Sequence, residues 1–588
     1  MSKFQPSRRK FLATGGSLAA VGALSASPST AGAVALAHWD EEVDVLVAGT
    51  GAAGSSAALF AHEAGAHVLM VEKGPAHGGT TQKSGGQFWI PNNRFLRAEG
   101  IGDPRGDFLR YVARYSYPAT YDPRKEALGV PEGPYALMGT FYDNASVAVE
   151  ELERLGAFSC VAVRMSSKDK DGPYNYFSWD QDKRPSGRVL AAARSDGSAG
   201  AGDELIGRLR TAVAARKIEV RVRHAVTEVV RNPAGEVIGA VVLADGKRTR
   251  IRARKGVIFA TGGYTHNLEM RTAFQSNPIL GGCAVASSTG DFISIGTAVG
   301  ARLGNLSGAW RGQFLLEDIL NDAAAPQGAW VTADSSFIVN RYGRRCVNEL
   351  RNYHDRARSQ YAWDPILAGY PNLLNILVYD RRCATLYGGV SPYPPSSDAA
   401  DNVLKADTLA ELGVAIDRRL GELAKHTGGI RLSDDFAQNL AGTVSRFNAM
   451  AANGVDEDFH RGETGYEQNE AFSIADMASR NPAASQWAAN SGKNICIYPL
   501  QEKGPYYAIL LVPGVLDTNG GPEIDTKARV LDQARRPIRG LFGAGNCVAS
   551  PVANSYWAAG ATIGLAMTFG MIAGKSAAAE PVHLEHGT

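Results

Sequence analysis

Cysteine is scarce in this sequence: 6 among 588 residues, and no two of them form a CxxC or CxxCH motif. We therefore expect neither a zinc site nor a bound c-type haem, and no metal centre of another kind. An even number would permit disulfides in an exported protein, but folding in a reducing cytoplasm favours buried free thiols. The cysteines are Cys160, Cys283, Cys346, Cys383, Cys496 and Cys547.

A surplus of charge of either sign is also absent. Lysine and arginine total 61 against 59 aspartates and glutamates, so the formal net charge is +2. No basic stretch is interleaved with aromatic residues, and we expect no nucleic-acid partner. After the N-terminal region, no stretch approaches the ~20 apolar residues of a transmembrane helix, so we expect no integral membrane protein. At ~100–200 residues per domain, the length suggests about two to four domains.

The first 37 residues have the order of a twin-arginine export signal. Paired arginines in SRRKFL (7–12) precede a mild apolar run, which gives way to small residues. Cleavage after Ala33 or Ala37 would fit this pattern. The alternative is a frayed basic N-terminus. Export by this route would place a folded, cofactor-loaded protein in the periplasm or cell envelope.

Residues 41–74 have the pattern of a dinucleotide-binding unit. An apolar strand leads into Gly49-x-Gly51-x-x-Gly54, then an alanine-rich helix, then a second strand that ends at Glu72. Gly49 would make the tight turn, Gly51 would let the backbone approach a pyrophosphate, and Gly54 would let the helix pack on the strand. The helix N-terminus offers free N–H groups and partial positive charge to the phosphate. Glu72 can accept a hydrogen bond from a ribose hydroxyl.

Three further segments rich in glycine favour FAD over NAD. GPAHGGTTQKSGGQFWIPNN (74–93) combines glycines and small hydroxyls in one loop, which suits a backbone that passes close to an isoalloxazine ring. KGVIFATGGYTHN (255–267) and RPIRGLFGAGNCV (536–548) each contain a buried strand that ends in a glycine turn. Several such turns at the carboxyl edge of one sheet would surround an extended cofactor.

Together these segments resemble the flavoprotein family of fumarate reductases and 3-ketosteroid dehydrogenases, over essentially all of the chain after the signal. Further matching motifs are TGDFISIGTAVGARLGN (289–305) and NRYGRRCVNE (340–349). The resemblance implies an α/β fold, with a Rossmann-like FAD-binding domain interrupted by an α+β capping domain and the active site between them. We place the FAD-binding domain at 38–300 and 499–588, and the capping domain at 301–498.

The same resemblance implies which residues contact the FAD. Flavins in this family can be covalently bound through a histidine in the glycine-rich loop, whereas Thr80 and Thr81 stand there in this sequence, so we expect a non-covalent cofactor. The implied contacts are Gly49, Gly51, Ala52, Ala53, Gly54, Glu72, Lys73, Gly79, Thr80, Thr81, Ser84, Gly85, Gly86, Val226, Ala260, Thr261, Gly262, Asp291, Gly545, Asn546, Gly560, Thr562 and Ile563.

The sequence departs from the reductase branch of this family at three places. Reductases hold dicarboxylates with arginine, the natural partner of a planar anion. Here ANSYWAAG (553–560) has no arginine, Asn519 stands where a histidine would precede the GG loop, and Tyr353 stands where an arginine would follow the NE of the cap. A shifted register could still supply Arg351 or Arg356.

The same places agree with the ketosteroid 1-dehydrogenase branch. The resemblance implies that the Tyr556 hydroxyl and the Gly560 N–H hold a ketone oxygen as enolate charge develops. Flavin N5 would take the β-hydride, and Tyr353 would take the α-proton. Tyr176, with Phe177 as the alternative register, would be a further catalytic and substrate-contacting aromatic. An unperturbed phenol pKa near 10 is high for a base, so Tyr176 as a donor or Arg351 as a charge would have to lower it.

Two tryptophans are also candidate substrate contacts. Trp89 and Trp557 lie in the loop and C-terminal motifs, although core packing or shielding of the flavin are the alternatives for both. A tyrosine at a half-buried helix start is, without the motif around it, most often a packing residue. We nevertheless predict catalytic roles for Tyr353, Tyr556, Gly560 and Tyr176.

The sequence leaves the ketone open. RPSGR (184–188) passes almost at once into the next helix, where steroid 1-dehydrogenases have a long insertion. A shorter wall makes a cyclohexanone-type ketone as credible as a 3-oxosteroid. No haem, iron–sulfur or NAD motif is present, so we expect an external acceptor such as a quinone or cytochrome. The alternatives are a periplasmic enoate reductase of the fumarate or urocanate kind, and a flavin-bearing electron-transfer subunit.

Overall fold

A computed structural model describes residues 38–163, 174–177, 186–324, 328–471, 477, 481–487, 490 and 492–585 of the chain. The export signal predicted over 1–37 lies outside the described residues, and so do Arg184 and Pro185 of the RPSGR segment. The strands are β1 Glu41–Ala48, β2 Val68–Glu72, β3 Phe88–Trp89, β4 Cys160–Ala162, β5 Val189–Ala192, β6 Glu219–Val222, β7 Ala225–Arg231, β8 Val237–Ala244, β9 Lys247–Phe259, β10 Leu303–Gly304, β11 Ala309–Leu315, β12 Ser336–Val339, β13 Asn375–Asp380, β14 Leu404–Ala406, β15 Tyr506–Thr518, β16 Gly521–Pro522, β17 Arg529–Leu531 and β18 Pro537–Gly543.

The larger sheet has a parallel centre, as the dinucleotide pattern predicts. Its strands run in the order β17-β18-β9-β1-β2-β6, and β8 and β7 extend it along the first part of β9. The pairs β18–β9, β9–β1, β1–β2 and β2–β6 are all parallel. Parallel strands are buried on both faces, which explains the unbroken apolar runs of β1 and β2. The carboxyl ends of β1, β2, β9 and β18 therefore meet at one edge.

Helices cover this sheet and build much of the rest of the chain. They are α1 Ala52–Glu63, α2 Gly79–Lys83, α3 Arg94–Ala98, α4 Arg105–Ser116, α5 Glu132–Arg154, α6 Gly202–Ala215, α7 Leu268–Phe274, α8 Asp291–Ala298, α9 Leu316–Asn321, α10 Tyr353–Arg358, α11 Arg381–Leu386, α12 Leu409–Glu422, α13 Ala424–Thr427, α14 Phe436–Asn453, α15 Gly465–Glu470 and α16 Ala561–Ala579. None of these helices has both the length and the apolarity needed to cross a bilayer.

The second large sheet is antiparallel and has five strands. Its order is β11-β15-β13-β12. The fifth strand, β14, pairs with the N-terminal end of β15, whereas β11 pairs with the C-terminal part of β15. Alternate residues of β13 face two separate apolar cores, with Ile376 and Val378 in one and Leu377 in the other. This is the period-2 pattern of a strand buried on both faces. The central strand, β15, comes from beyond residue 499, while the other four lie within 301–498.

A cluster of buried charges fixes the segment between β12 and α10. Glu349 is fully buried and accepts hydrogen bonds from Arg345, from Arg461 at 3.1 Å and from the Ile338 N–H at 3.1 Å. Arg345 also bonds to Asp456 at 2.8 Å. A buried carboxylate with this many donors is satisfied, and Tyr353 follows it by four residues.

The C-terminal helix packs against α1 through glycines. A Cβ on Gly570 would lie 2.4 Å from the Ala53 carbonyl oxygen, and one on Gly574 would lie 2.3 Å from that of Ala57. Real side chains do not tolerate such distances, so the two helix backbones touch where a larger residue would hold them apart. The first turn of α1 is thereby held against the middle of α16, more than two turns from the start of that helix.

We predict that Gly574→Ala separates these helices. The new methyl group meets backbone rather than a flexible side chain, so the free energy of unfolding should fall by about 1–3 kcal/mol. Bound flavin should be lost at a lower temperature than in the wild type, as measured by flavin fluorescence during thermal melting. Gly442→Ala is the matched control, because a Cβ at this position in α14 meets nothing within 4 Å. Equal melting temperatures for the two variants would contradict the packing argument.

Candidate active site

One cavity, with a volume of about 500 Å³, lies at the carboxyl edge of the parallel sheet. The turns after β1, β9 and β18 contribute Gly49, Thr261 and Gly545 to its wall. Gly49 has φ +103°, and a Cβ there would lie 2.3 Å from the Ala260 carbonyl oxygen. Only glycine allows both this backbone conformation and this approach of the two turns.

Two other glycines in the wall are not required by protein packing. A Cβ on Gly51 would have no neighbour closer than Thr81 Oγ1 at 3.5 Å, and one on Gly85 would have nothing within 4 Å. Neither glycine has a left-handed φ. The absent side chains therefore leave room for a group that approaches the backbone from the cavity. An FAD pyrophosphate fits this cradle, since the first turn of α1 starts beside Gly51.

Glu72 closes the β1 turn from the end of β2. One of its carboxylate oxygens accepts from the Thr50 N–H and hydroxyl, at 3.1 and 2.9 Å, and the other from the Gly74 N–H at 2.7 Å. The carboxylate still lines the cavity, with lone pairs left for a ribose hydroxyl. Lys73 Nζ lies 2.6 Å from Asp291 Oδ2, so these two predicted contacts form an ion pair at the rim.

All but one of the predicted cofactor contacts line this cavity. The exception is Gly54, whose Cβ position lies 2.0 Å from the Gly49 carbonyl oxygen, so its role is the helix–strand packing that the motif requires. The lining members are Gly49, Gly51, Ala52, Ala53, Glu72, Lys73, Gly79, Thr80, Thr81, Ser84, Gly85, Gly86, Val226, Ala260, Thr261, Gly262, Asp291, Gly545, Asn546, Gly560, Thr562 and Ile563.

Asp517 is a lining residue that sequence analysis missed. Its carboxylate accepts from the Gly263 N–H at 2.9 Å, from Thr265 Oγ1 at 2.8 Å and from Asn546 Nδ2 at 3.1 Å. Burial raises the pKa of this carboxyl. The residue ties the turn after β9 to the turn after β18. The motif LDTNGG (516–521) contains Asp517 and could have indicated it, but the sequence analysis considered only Asn519 of this motif. Asn519 does not line the cavity.

Three tyrosines from separate segments meet on one wall. The ring of Tyr176 lies 5.5 Å from that of Tyr353 and 5.3 Å from that of Tyr556, and the Tyr353 and Tyr556 rings are 5.7 Å apart. All three contacts are edge-to-face, a favourable arrangement for aromatic rings. The Trp310 ring lies 4.8 Å from that of Tyr556, and Trp310 lines the cavity as well. The structure thus brings the predicted catalytic tyrosines together.

Backbone hydrogen bonds hold the three segments in this arrangement. The Tyr176 N–H donates to the Trp557 carbonyl oxygen at 3.0 Å, and Asn352 Nδ2 donates to the Tyr176 carbonyl oxygen at 3.4 Å. His354 Nε2 bonds to the Asn554 carbonyl oxygen at 2.8 Å, while its Nδ1 bonds to the Arg311 N–H at 3.1 Å. The imidazole therefore carries its proton on Nε2 and joins α10 to the loop before Tyr556 and to β11.

Gly560 begins α16 in a left-handed conformation. Its φ is +83°, and a Cβ would lie 2.6 Å from the Gln87 carbonyl carbon. Tyr556, four residues earlier, and Gly560 both line the cavity.

Burial raises the pKa of all three tyrosines. For Tyr353, the neighbouring Tyr176 and Tyr556 raise the pKa further. The expectation that Tyr176 or Arg351 lowers it is wrong for this structure. Arg351 faces Glu467, with Nη1 3.5 Å from Oε1, and does not line the cavity.

The two tryptophans predicted to touch substrate do not line the cavity either. Trp89 and Trp557 are fully buried, with rings 5.8 Å apart, among Phe108 and Phe141. Trp89 Nε1 donates to Asn175 Oδ1, and Trp557 Nε1 donates to Ser116 Oγ, each at 2.8 Å. Their indoles form the core behind the wall, and Trp557 acts on the site through its backbone.

The tyrosine wall also includes residues that no motif predicted. Trp330, Tyr466 and Glu470 come from the chain around the five-stranded sheet, and Cys283 and Leu516 lie nearby in the same lining. The six cysteines of the chain form no disulfide, and burial raises the pKa of Cys283 to about 12. Cys283 is therefore a packing residue of the wall.

Comparison with known proteins agrees with this geometry. The FAD binding domain family matches residues 44–563. The chain is 29% identical to 4-oxocyclohexanecarboxylate 2-dehydrogenase of Sinomonas cyclohexanicum, over 92% of this chain and 94% of that protein. It is 31% identical to 3-oxosteroid 1-dehydrogenase of Mycobacterium tuberculosis, over 91% and 98%. The crystal structure of 3-ketosteroid Δ1-dehydrogenase from Sterolibacterium denitrificans superposes with a TM-score of 0.75 at 23% identity, over 92% of this chain and all of that one.

The fold and the glycine-lined cavity are those of a flavoprotein, and FAD is the cofactor. The chain belongs to the FAD-binding family of fumarate reductases and 3-ketosteroid dehydrogenases and is an FAD-dependent oxidoreductase.

We predict that His354 makes the folded protein sensitive to acid. Burial lowers the His354 pKa to about 4 from 6.5. Between pH 6.5 and 4, His354 is protonated in the unfolded chain but not in the folded chain. The free energy of unfolding therefore decreases as the pH falls toward 4, by up to ~3 kcal/mol. His354→Gln should flatten the decrease in melting temperature of the flavin-loaded protein between pH 6.5 and 4.5.

Substitution of exposed His460 is the matched control for this measurement. His77, whose pKa burial also lowers to about 4, should keep part of the acid sensitivity in the His354 variant. If the melting temperature decreases equally between pH 6.5 and 4.5 in the wild type and in His354→Gln, then His354 is not the source of the acid sensitivity.

Proposed function

We propose that the chain desaturates a cyclic ketone next to its carbonyl group. The observation that carries this proposal is that Tyr556, whose hydroxyl is a neutral donor, and Gly560, which offers its backbone N–H, line the same cavity beside Tyr353. Neutral donors of this kind suit a ketone oxygen on which enolate charge develops. The curated relatives, which include a 4-oxocyclohexanecarboxylate 2-dehydrogenase and 3-oxosteroid 1-dehydrogenases, support it.

The proposed reaction divides two hydrogens between two acceptors. The Tyr556 hydroxyl and the Gly560 N–H hold the carbonyl oxygen, and the Tyr353 oxygen takes the proton from the α-carbon. The flavin supplies the acceptor for the hydride from the β-carbon. A C=C bond forms between the two carbons, so the product is the enone. The positive end of the α16 dipole stabilises negative charge near Gly560.

Tyr353 lies directly beside two other tyrosines of the wall. Its ring is 5.5 Å from that of Tyr176 and 5.7 Å from that of Tyr556, each edge to face. Burial and both neighbours raise the Tyr353 pKa, so only a small fraction of the hydroxyl is deprotonated near neutral pH. Tyr176 is thus a direct neighbour of the base.

The alternative is an enoate reductase that binds a carboxylate through arginine. Among the described residues that line the cavity there is no arginine. Arg356 is fully buried, and its guanidinium donates to Gln313 Oε1 at 2.6 Å and to the carbonyl oxygens of Glu349 and Ala329. This arginine ties together segments around the cavity and is not among the residues that line it.

We also propose where the protein acts and what receives its electrons. The twin-arginine pattern in residues 1–37 supports a location in the periplasm or cell envelope. An external quinone or cytochrome there would receive the electrons. A monocyclic ketone and a 3-oxosteroid both remain within the proposed substrate class.

We predict that cyclohexanone or a 3-oxosteroid bleaches the oxidised flavin under anaerobic conditions. Tyr556→Phe removes one of the two donors to the ketone oxygen and should slow bleaching by about 10²–10³-fold. Stopped-flow absorbance of the flavin measures both. Tyr361→Phe, at a half-buried tyrosine outside the cavity lining, is the matched control. Failure of both ketones, together with reoxidation of the reduced protein by fumarate, would overturn the proposal in favour of the reductase.

We also predict that bleaching accelerates with pH. The base must be deprotonated and its pKa is raised, so kcat/KM should increase about tenfold per pH unit with no plateau below about pH 9. Tyr353→Phe should lose about 10²–10⁴-fold in rate and the pH dependence with it. A flat profile in the wild type, or a Tyr353→Phe variant that keeps the slope, would show that another group takes the proton.

A further inference from the structure

One surface loop, which takes no part in lining the cavity, carries a cluster of exposed apolar side chains. Trp363, Ile366 and Leu367 are exposed to 55%, 91% and 54%. The other large apolar side chains that are exposed in the described part of the chain stand singly along it or, as Val582 and Leu584, in a pair. Single exposed apolar residues are ordinary, whereas a cluster marks a surface that meets another apolar surface.

The loop is a closed turn with a defined base and tip. At the base, the Asp364 N–H donates to the Gly369 carbonyl oxygen at 2.9 Å, and the Gly369 N–H donates to the Asp364 carbonyl oxygen at 3.3 Å. The tip is residues 365–368, with the sequence Pro-Ile-Leu-Ala, and all four are exposed. The tip therefore presents apolar side chains alone, with no charged or polar side chain among them.

The backbone donors of the tip are occupied within the loop. Asp364 Oδ1 accepts from the Ile366 N–H at 2.8 Å and from the Leu367 N–H at 3.1 Å. Pro365 has no N–H to satisfy. A free backbone N–H is costly to move into hydrocarbon. Three of the four tip residues therefore enter an apolar medium without that cost.

Two aromatic side chains flank the base of the loop. Trp363 precedes the pair of bonds between Asp364 and Gly369, and Tyr370 follows it, with the two rings 5.1 Å apart and edge to face. Tryptophan and tyrosine are enriched at the headgroup level of bilayers, whereas isoleucine and leucine favour the hydrocarbon. An aliphatic tip on an aromatic base has the same order of side chains as a bilayer interface.

We propose that this loop, residues 363–370, inserts its apolar tip into a lipid bilayer and holds the protein at the membrane surface. A partner protein suits the loop less well, because protein interfaces surround their apolar core with polar contacts, and the tip has no polar side chain to make them. The inference goes beyond the proposed reaction and does not depend on it. A lipid-soluble quinone, one of the proposed electron acceptors, would be reached at the same surface.

Co-sedimentation with neutral phosphatidylcholine vesicles tests the proposal on the flavin-loaded full chain. Neutral lipid excludes adsorption by charge, and residues 1–37 are the same in every variant. Burial of one large aliphatic side chain corresponds to about tenfold in a binding constant. Ile366→Ser/Leu367→Ser should therefore lower the ratio of bound to free protein at least about tenfold. Val414→Ser is the matched control, because Val414 on α12 is 72% exposed and lies outside the loop, and it should bind as the wild type does.

Lipids brominated on their acyl chains give a second measurement, of where the loop lies. They should quench tryptophan fluorescence of the wild type, and Trp363→Phe should remove most of that quenching. A wild type that does not bind the vesicles, equal binding by the double variant, or equal quenching in Trp363→Phe would overturn the proposal. Self-association of the wild type that is lost in the double variant, with no vesicle binding, would show instead that the loop is a contact between copies of this chain.

Discussion

The site depends on the direct contact between two helix backbones. α1 starts beside Gly51 and α16 starts after Gly560, and both of these glycines line the cavity. Because glycine and alanine line their contact, the helices come closer than larger side chains would permit, and their N-termini open into one cavity. Both N-termini present partial positive charge to the same volume. A cofactor with negative phosphates at one end and an electron-accepting ring at the other matches that arrangement.

The tyrosine wall is built from segments that lie far apart in the chain. Tyr353 belongs to α10, whose preceding segment is fixed by the buried charges around Glu349, while Tyr556 belongs to the loop before α16. His354 joins these two parts through hydrogen bonds at both ring nitrogens. Burial keeps this imidazole neutral, which preserves the proton arrangement that both bonds need. The geometry of the wall is therefore a property of the packed chain rather than of any one segment.

Burial determines the electrostatic character of the wall. Desolvation raises the pKa of the tyrosine hydroxyls, so they are neutral donors as the site stands. Neutral hydroxyl donors suit an oxygen on which negative charge develops, which is what the proposed reaction requires.

The sequence by itself determined the features that depend on neighbours along the chain. The glycine spacing, the acid at the end of β2 and the strand-and-turn patterns predicted the cofactor, and all but one of the contacts they predicted line the cavity. The motifs also predicted Tyr353, Tyr556 and Gly560. Only the tertiary structure placed Asp517 and Glu470 in the cavity wall and Trp89 and Trp557 behind it. Whether a side chain faces a cavity or a core depends on contacts between segments hundreds of residues apart, and no local pattern records those contacts.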